Sequence, residues 1–466
     1  MISIQKVLNV IIAGFGELLA EGYVILPNII FAGLIWQNYG KTEYFMAFVL
    51  LYAMEKSGVF GISAMGMIHN PKKILVIGLS TALLGGIISC FGALSPVCWS
   101  VGAIFIGAGL SIYAAMYRTL WDVRKAEGIQ RPKGCIMAGY GMLVLFIGYI
   151  FLARHNDITV IFVIFSVVMF IALIGILAVD FDINRVRIKA FLPDAKMAGN
   201  KRAIIKSSII NSIAGVMVFV SVFTLRLYKQ TANTRFMFWM ILSFSILIVL
   251  FLVLKKYPIR KCSLRTFWYG AVRGFVTIFS LIFFMAIGRT DLLFLSYLMI
   301  GVGVGLARVA KPLFAKKLKG EALEKTFIIC AMLSLFVMCM AHSVTYILGV
   351  MLSVMFVSMA NSCSVQAYLA DETFPWLERR LVRAKFYALG GVIFQLVMLF
   401  ILFLVTGALG GSDDITLGAY AFGNGSLANA PAYMITLPIC SACLVLIGIF
   451  FAFRSARCPC DKRGTQ

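Results

Sequence analysis

Long apolar runs constrain this chain more than any other feature. Fourteen mostly apolar segments recur at about 7–36, 44–67, 74–94, 98–117, 134–153, 158–179, 207–225, 236–254, 266–288, 292–310, 326–341, 344–368, 386–408 and 432–453. A helix needs about 20 such residues to cross a hydrocarbon core of about 30 Å. Within lipid a helix also satisfies its own backbone polar groups, which an open strand cannot do. Composition points the same way: 61% of residues are apolar and 13% are charged. That is about half the charge a soluble surface carries. The expected fold is an all-α integral membrane protein of about fourteen transmembrane helices. The first segment is too long for a secretory signal, holds two glutamates and lacks a small-residue cleavage site. The shortest segment, 326–341, is parted from the next by His342 and Ser343 alone.

The charge balance is lopsided, with 42 Lys and Arg against 19 Asp and Glu, a net +23. An excess of that size suits nucleic acid, an anionic membrane surface, or a membrane protein obeying the positive-inside rule. Position decides between them. With the N-terminus inside, the inner connections and tail hold 33 basic residues and the outer ones 6, leaving Lys56, Arg273 and Arg308 in or beside spans. So strong an asymmetry places both termini in the cytoplasm and makes nucleic acid unnecessary as a partner. The expected location is the cell membrane, multi-pass. Trp36, Trp99, Trp121, Trp239, Trp268 and Trp376 fall near span ends, where an amphipathic ring favours the membrane interface.

The longest inner connection, residues 180–206, divides the chain after six segments. Residues 1–180 then form an N-terminal six-helix bundle and 181–206 a basic cytoplasmic linker. An additional helix pair follows at 207–254, then a C-terminal six-helix bundle at 255–453 and a cytoplasmic tail at 454–466. Two short basic turns occupy matching places in the two bundles. One follows Gly61-Ile62-Ser63-Ala64-Met65-Gly66-Met67-Ile68 and reads Asn70-Pro71-Lys72-Lys73; the other runs from Ala310 through Lys316 and Lys317 to Lys319.

In these turns the chain resembles the major facilitator superfamily, whose loop between helices 2 and 3 carries small residues and a terminal basic pair. No Asp stands in the present copy. Gly102, Gly107 and Gly109, with Arg118 closing that helix, also suit the family. The resemblance implies two six-helix halves, alternating access, and a solute site near the midplane between the halves. It also implies gating roles for Lys72, Lys73, Lys316 and Lys317. The 6+2+6 plan occurs there among drug–proton antiporters and proton-coupled peptide transporters. Helix 5 here lacks the antiporters' Gly-Pro motif, and Glu17 and Glu21 are wrongly spaced for the peptide transporters' first-helix pattern, which also needs an Arg.

Ionisable groups within a span are costly unless paired or wetted, so they mark candidate functional positions. Glu17 and Glu21 lie four apart, one turn from each other on one helix face. Two carboxylates so placed resist joint ionisation, the property a proton-coupling site requires. The plainer alternative pairs each with a base on another helix. Glu55 and Lys56 are adjacent, about 100° apart around a helix, and are expected to pair across helices rather than with each other. Arg273 lies about 12 Å into its span from Arg265, where its fork would suit a carboxylate or phosphate on a solute. Tyr23 completes the candidate substrate-binding set with Arg273, Lys56 and Glu55. Arg308 is expected to snorkel to the inner interface.

The run Gly301-Val302-Gly303-Val304-Gly305 lies in an apolar span, where small residues permit close helix approach rather than phosphate binding. No Gly-x-x-x-x-Gly-Lys-Ser/Thr loop is present to couple ATP hydrolysis. Neither a cofactor, a metal site nor an enzymatic constellation is expected. The expected function is secondary transport of a small solute, with an anionic part suited to Arg273, by a monomer in the lipid bilayer and with proton coupling. A lipid or lipid-linked glycan flippase is the alternative.

Overall fold

In a computed structural model of the chain, the described residues are 4–38, 42–64, 70–126, 128–153, 158–179, 201–228, 261–318, 320–340, 342–369, 379–410 and 426–453, with 242, 243 and 246 singly. Among them the chain is helical, with no strand. The helices are α1 (Ile4–Gly22), α2 (Ile25–Gln37), α3 (Thr42–Ala64), α4 (Pro71–Cys90), α5 (Pro96–Ser111), α6 (Tyr113–Ala126), α7 (Cys135–Leu152) and α8 (Ile158–Leu177). After them come α9 (Lys201–Tyr228), α10 (Lys261–Ala286), α11 (Thr290–Ala315), α12 (Gly320–Cys339), α13 (Ser343–Leu369), α14 (Arg379–Ala408) and α15 (Ala430–Phe453).

Each apolar segment except 236–254 falls on a described helix; all of 236–254 but residues 242, 243 and 246 lies outside the described residues. Among the described residues ten helices are long and apolar enough to cross a membrane, or eleven if a bent first pair is one span. Two expected boundaries are corrected. The fourth segment does not stop at 117: its span runs Pro96–Lys125, so Arg118, Arg124 and Lys125 ride on helix rather than loop. α10 likewise begins at Lys261 and carries Arg265 within it. Hydropathy falls at the first charges, but a helix continues through charges that find partners or a polar face.

The start of α4 shows how local chemistry sets an end. Asn70 accepts the Lys73 backbone N–H at 3.1 Å, and Pro71 occupies the first helical position, where its missing N–H costs nothing. The outward faces are apolar. On α8 the exposed residues are Val160, Val163, Val167, Phe170, Ile174 and Leu177, a stripe at alternating three- and four-residue steps that suits lipid rather than water.

Two compact units emerge: Met1–Phe223 with Glu372–Val382, and Thr224–Asp371 with Arg383–Gln466. In the first, α1 packs on α6, α7 and α8, while α4 packs on α5 and α8. In the second, α10 packs on α11, α13 and α15, while α12 packs on α13 and α15. Close contacts rest on glycine. A Cβ at Gly390 of α14 would lie 1.9 Å from the Phe267 carbonyl oxygen of α10, and one at Gly270 would lie 1.9 Å from that of Tyr387. Gly303 meets the Met351 carbonyl of α13 in the same way, so that glycine run does serve helix approach.

The interfacial tryptophans need correction. Trp99, Trp121 and Trp268 are 5%, 6% and 1% exposed, so their rings are buried within the protein rather than displayed at the membrane surface. Trp268 Nε1 donates to the Leu444 carbonyl at 2.8 Å, which gives the buried indole its partner. The side chains of Trp36, Trp239 and Trp376 lie outside the described ones.

Candidate functional site

The first apolar segment reads as one helix in the sequence, yet it is broken. Asn9–Gly22 and Ile25–Ile35 meet at a bend of 67°. Pro27 supplies the cause, because it cannot donate to the carbonyl of Tyr23 and its ring crowds that oxygen. Tyr23 and Val24 form the turn. Asn28 ties the turn to α3: its Nδ2 donates to the Val24 carbonyl at 2.6 Å and to Glu55 Oε2 at 3.0 Å.

Glu55 is 4% exposed. Its other oxygen takes Lys56 Nζ at 3.3 Å, which corrects the expectation that these neighbours cannot pair. The 100° offset holds for their Cα–Cβ bonds, but the four-carbon lysine stem reaches around the helix. The same ammonium stands 5.0 Å from the centre of the Tyr52 ring and within electrostatic reach of Tyr23. Three of the four candidate solute residues, Tyr23, Glu55 and Lys56, are thus brought together at the break. Asn28 was missed by sequence reasoning, although a polar residue directly after a proline in an apolar span was a usable signal.

Asn28 Oδ1 is buried and has no hydrogen-bond partner. Turning the amide over would set an oxygen against the Val24 and Glu55 oxygens, so the network dictates its orientation. The break therefore presents a buried acceptor beside a carboxylate and an ammonium. An N–H or O–H donor on a polar molecule is the chemistry that would complete it.

Glu17 and Glu21 each accept from an arginine. Arg131, in the turn before α7, pairs with Glu17, and Arg118 of α6 donates to Glu21 Oε1 at 2.5 Å. Base partners from other helices are the plainer of the two arrangements expected, and the geometry supplies them. The carboxylate side chains are 4% and 9% exposed, against 25% and 24% for the arginines. In both pairs the acid is the more deeply buried member. Gly139 of α7 lets α1 come close here: a Cβ on it would lie 2.6 Å from Glu17 Cβ.

Lys72 Nζ donates to the carbonyls of Leu177 and Val179 at 3.0 and 2.6 Å, closing the end of α8 as cations do at helix C-termini. Lys73, Lys316 and Lys317 are exposed. Arg308 is exposed near the end of α11 and Arg273 is half-buried on α10. Among the described residues no group of three His, Cys, Asp or Glu could hold a metal ion.

No family model matches the chain, and no curated protein matches it by sequence. Solved structures do match. An auto-inhibited peptide transporter of the POT family aligns over 97% of this chain and 98% of its own, at a TM-score of 0.56 and 14% identity. The Escherichia coli xylose transporter XylE aligns over 97% and 98%, at 0.54 and 12%. The nucleoside transporter NupG aligns over 97% and 100%, at 0.53 and 10%. XylE is described as a major facilitator superfamily protein. The chain has the major facilitator fold.

Within that fold the second unit carries its own buried charge, which the sequence had assigned to a loop. Arg265 of α10 donates through Nη1 to Glu324 at 2.7 Å and through Nη2 to Glu321 at 2.8 Å, both on α12. Tyr269 OH donates to the other oxygen of Glu324 at 2.6 Å. The neighbours of known structure are transporters rather than enzymes.

Proposed function

We propose that the chain is a secondary transporter of the major facilitator superfamily, moving a small polar organic solute across a membrane by alternating access. The observation that carries this reading is a major facilitator fold over nearly the whole chain, enclosing buried ionised side chains at a broken first helix. Broken helices are where transporters of several folds hold solutes and ions, because freed backbone and polar side chains face one another there. The 33-to-6 basic asymmetry favours fourteen spans with both termini cytoplasmic, in a cell membrane and acting as a monomer. The solute would engage Tyr23, Asn28, Glu55 and Lys56 at the break, and Arg273 is kept as a residue suited to an anionic group on a solute. Lys72, Lys73, Lys316 and Lys317 would adjust the gating turns.

Coupling is assigned to protons through Glu17 and Glu21. Each carboxylate would exchange its arginine for a proton when α1 shifts, which avoids an uncompensated buried charge at every stage. The neighbours named above are transporters of nucleosides, xylose and peptides, which lends no support to a flippase. The test is uptake into proteoliposomes against a panel of nucleosides, sugars, short peptides and organic acids, with and without an inward proton gradient. A panel member should accumulate faster with the gradient. In E17Q and E21Q that acceleration should vanish while solute exchange at equal concentration persists. Equal acceleration in wild type and both variants would sink the assignment of coupling to these two residues.

A further inference from the structure

A cavity of about 280 Å³ lies inside the first unit, where the early turns of α1 meet the ends of α6 and α8. Its walls differ in chemistry. Ile12, Ala13, Ala172 and Ile176 line it from α1 and α8, while Tyr117, Trp121 and Arg124 line it from α6 and Gln130 from the following turn. Arg124 is the one charged side chain among the described lining residues. Its guanidinium lies 4.9 Å from the centre of the Trp121 ring, and that of Arg131 lies 5.4 Å from it. At the rim, Lys72 Nζ sits on the Val179 carbonyl, and Val179 also lines the cavity. Beside the apolar wall, Ile11, Ile174 and Leu177 are exposed apolar side chains, continuous with the stripe on α8.

We propose that this cavity seats the headgroup of an anionic phospholipid of the inner leaflet. Its phosphate meets Arg124, and its chains run along the exposed apolar side chains of α1 and α8. A planar guanidinium matches phosphate oxygens two at a time, and basic pockets between helices on the cytoplasmic side suit anionic headgroups. The volume, just below the roughly 300–1,000 Å³ of small-molecule pockets, suits a headgroup whose tails remain outside. The α1 wall ends at Gly16, next to Glu17, and Arg131 shares the Trp121 ring with Arg124. A bound phosphate therefore acts on the cluster that holds Glu17. The assignment rests on the transporter reading above for its membrane and for which leaflet meets this end.

Native mass spectrometry of the full chain, purified with equal amounts of phosphatidylglycerol and phosphatidylcholine, tests it. Wild type should retain phosphatidylglycerol about tenfold over phosphatidylcholine, the ratio that one charge-assisted contact supplies. The preference should fall to parity in R124Q. It should fall equally in Ala178→Phe, where a ring on an exposed rim residue closes the entrance without disturbing the packed interior. Unchanged preference in both variants overturns the proposal. Displacement of the lipid by glycerol phosphate at matching concentration also overturns it, since the site would then take a soluble phosphate. Retention is read on the protein itself, so a lost uptake signal with intact lipid preference counts against the transport reading alone.

Discussion

Helices α1 and α10, one from each unit, both carry buried charge, but of opposite sign and held in a different manner. α1 offers two carboxylates, each joined to an arginine that is about a quarter exposed. α10 offers one arginine, 7% exposed, fixed by two glutamates of α12, with Tyr269 bonded to one of them. In the first arrangement the acids are the buried members and the bases are about a quarter exposed. In the second the guanidinium is the buried member, between Glu324 at 12% and Glu321 at 38% exposure, and Glu321 also meets Lys325 at 3.5 Å. Similar helix packing thus supports acids held by outer bases in one unit and a base held by outer acids in the other. The lesson is that a charge buried in a span is not a functional mark until its partners are counted.

Six substitutions would break or sharpen this contrast, beginning with the largest expected effect. Arg265→Leu leaves Glu324 buried beside Tyr269 without its cation, and should cost about 3–5 kcal/mol, read as a large fall in thermal unfolding temperature in detergent. Gly390→Ala drives a methyl into the Phe267 carbonyl of α10 and should cost about 1–3 kcal/mol. Gly407→Ala, on the same helix but with nothing near its missing Cβ, should stay within about 0.5 kcal/mol.

Glu17→Gln and Glu21→Gln keep shape and some hydrogen bonding, and their arginines can turn toward water. Each should cost about 1 kcal/mol, yet remove gradient-driven uptake. If these two destabilise as much as Arg265→Leu, the contrast between the units collapses. Lys72→Met, which uncaps the end of α8, should cost about 0.3–1 kcal/mol. Hydrogen exchange should show that loss confined to the last turn of α8.

Much of the architecture was legible because its cause is local. Hydropathy alone located the helices, including the short pair on either side of His342, since α12 and α13 do flank that exposed turn. The candidate list Tyr23, Glu55 and Lys56 also came from local polarity, and the fold gathers it at one place. Three features were not legible in the same way. The break at Gly22–Val24 needed Pro27 to be weighed as a helix breaker inside an otherwise continuous apolar run. Arg265 was placed in a loop because a hydropathy window ends at the first cluster of charges. Glu55 and Lys56 were separated by an argument about Cβ directions that a long side chain overrides.

The sequence by itself determined that this chain belongs in a bilayer, and its basic residues carry the argument for orientation. Both properties are sums over neighbouring residues, so no distant contact is needed to read them. Only the tertiary structure decided what the rare buried charges do. Glu17 finds its arginine 114 residues away and Glu21 finds one 97 away. Arg265 reaches glutamates 56 and 59 residues on. Partnership at that separation depends on which helices pack together, and steric fit at glycines such as Gly139 and Gly390 helps settle it. An ion pair is a property of packing, while a span is a property of composition.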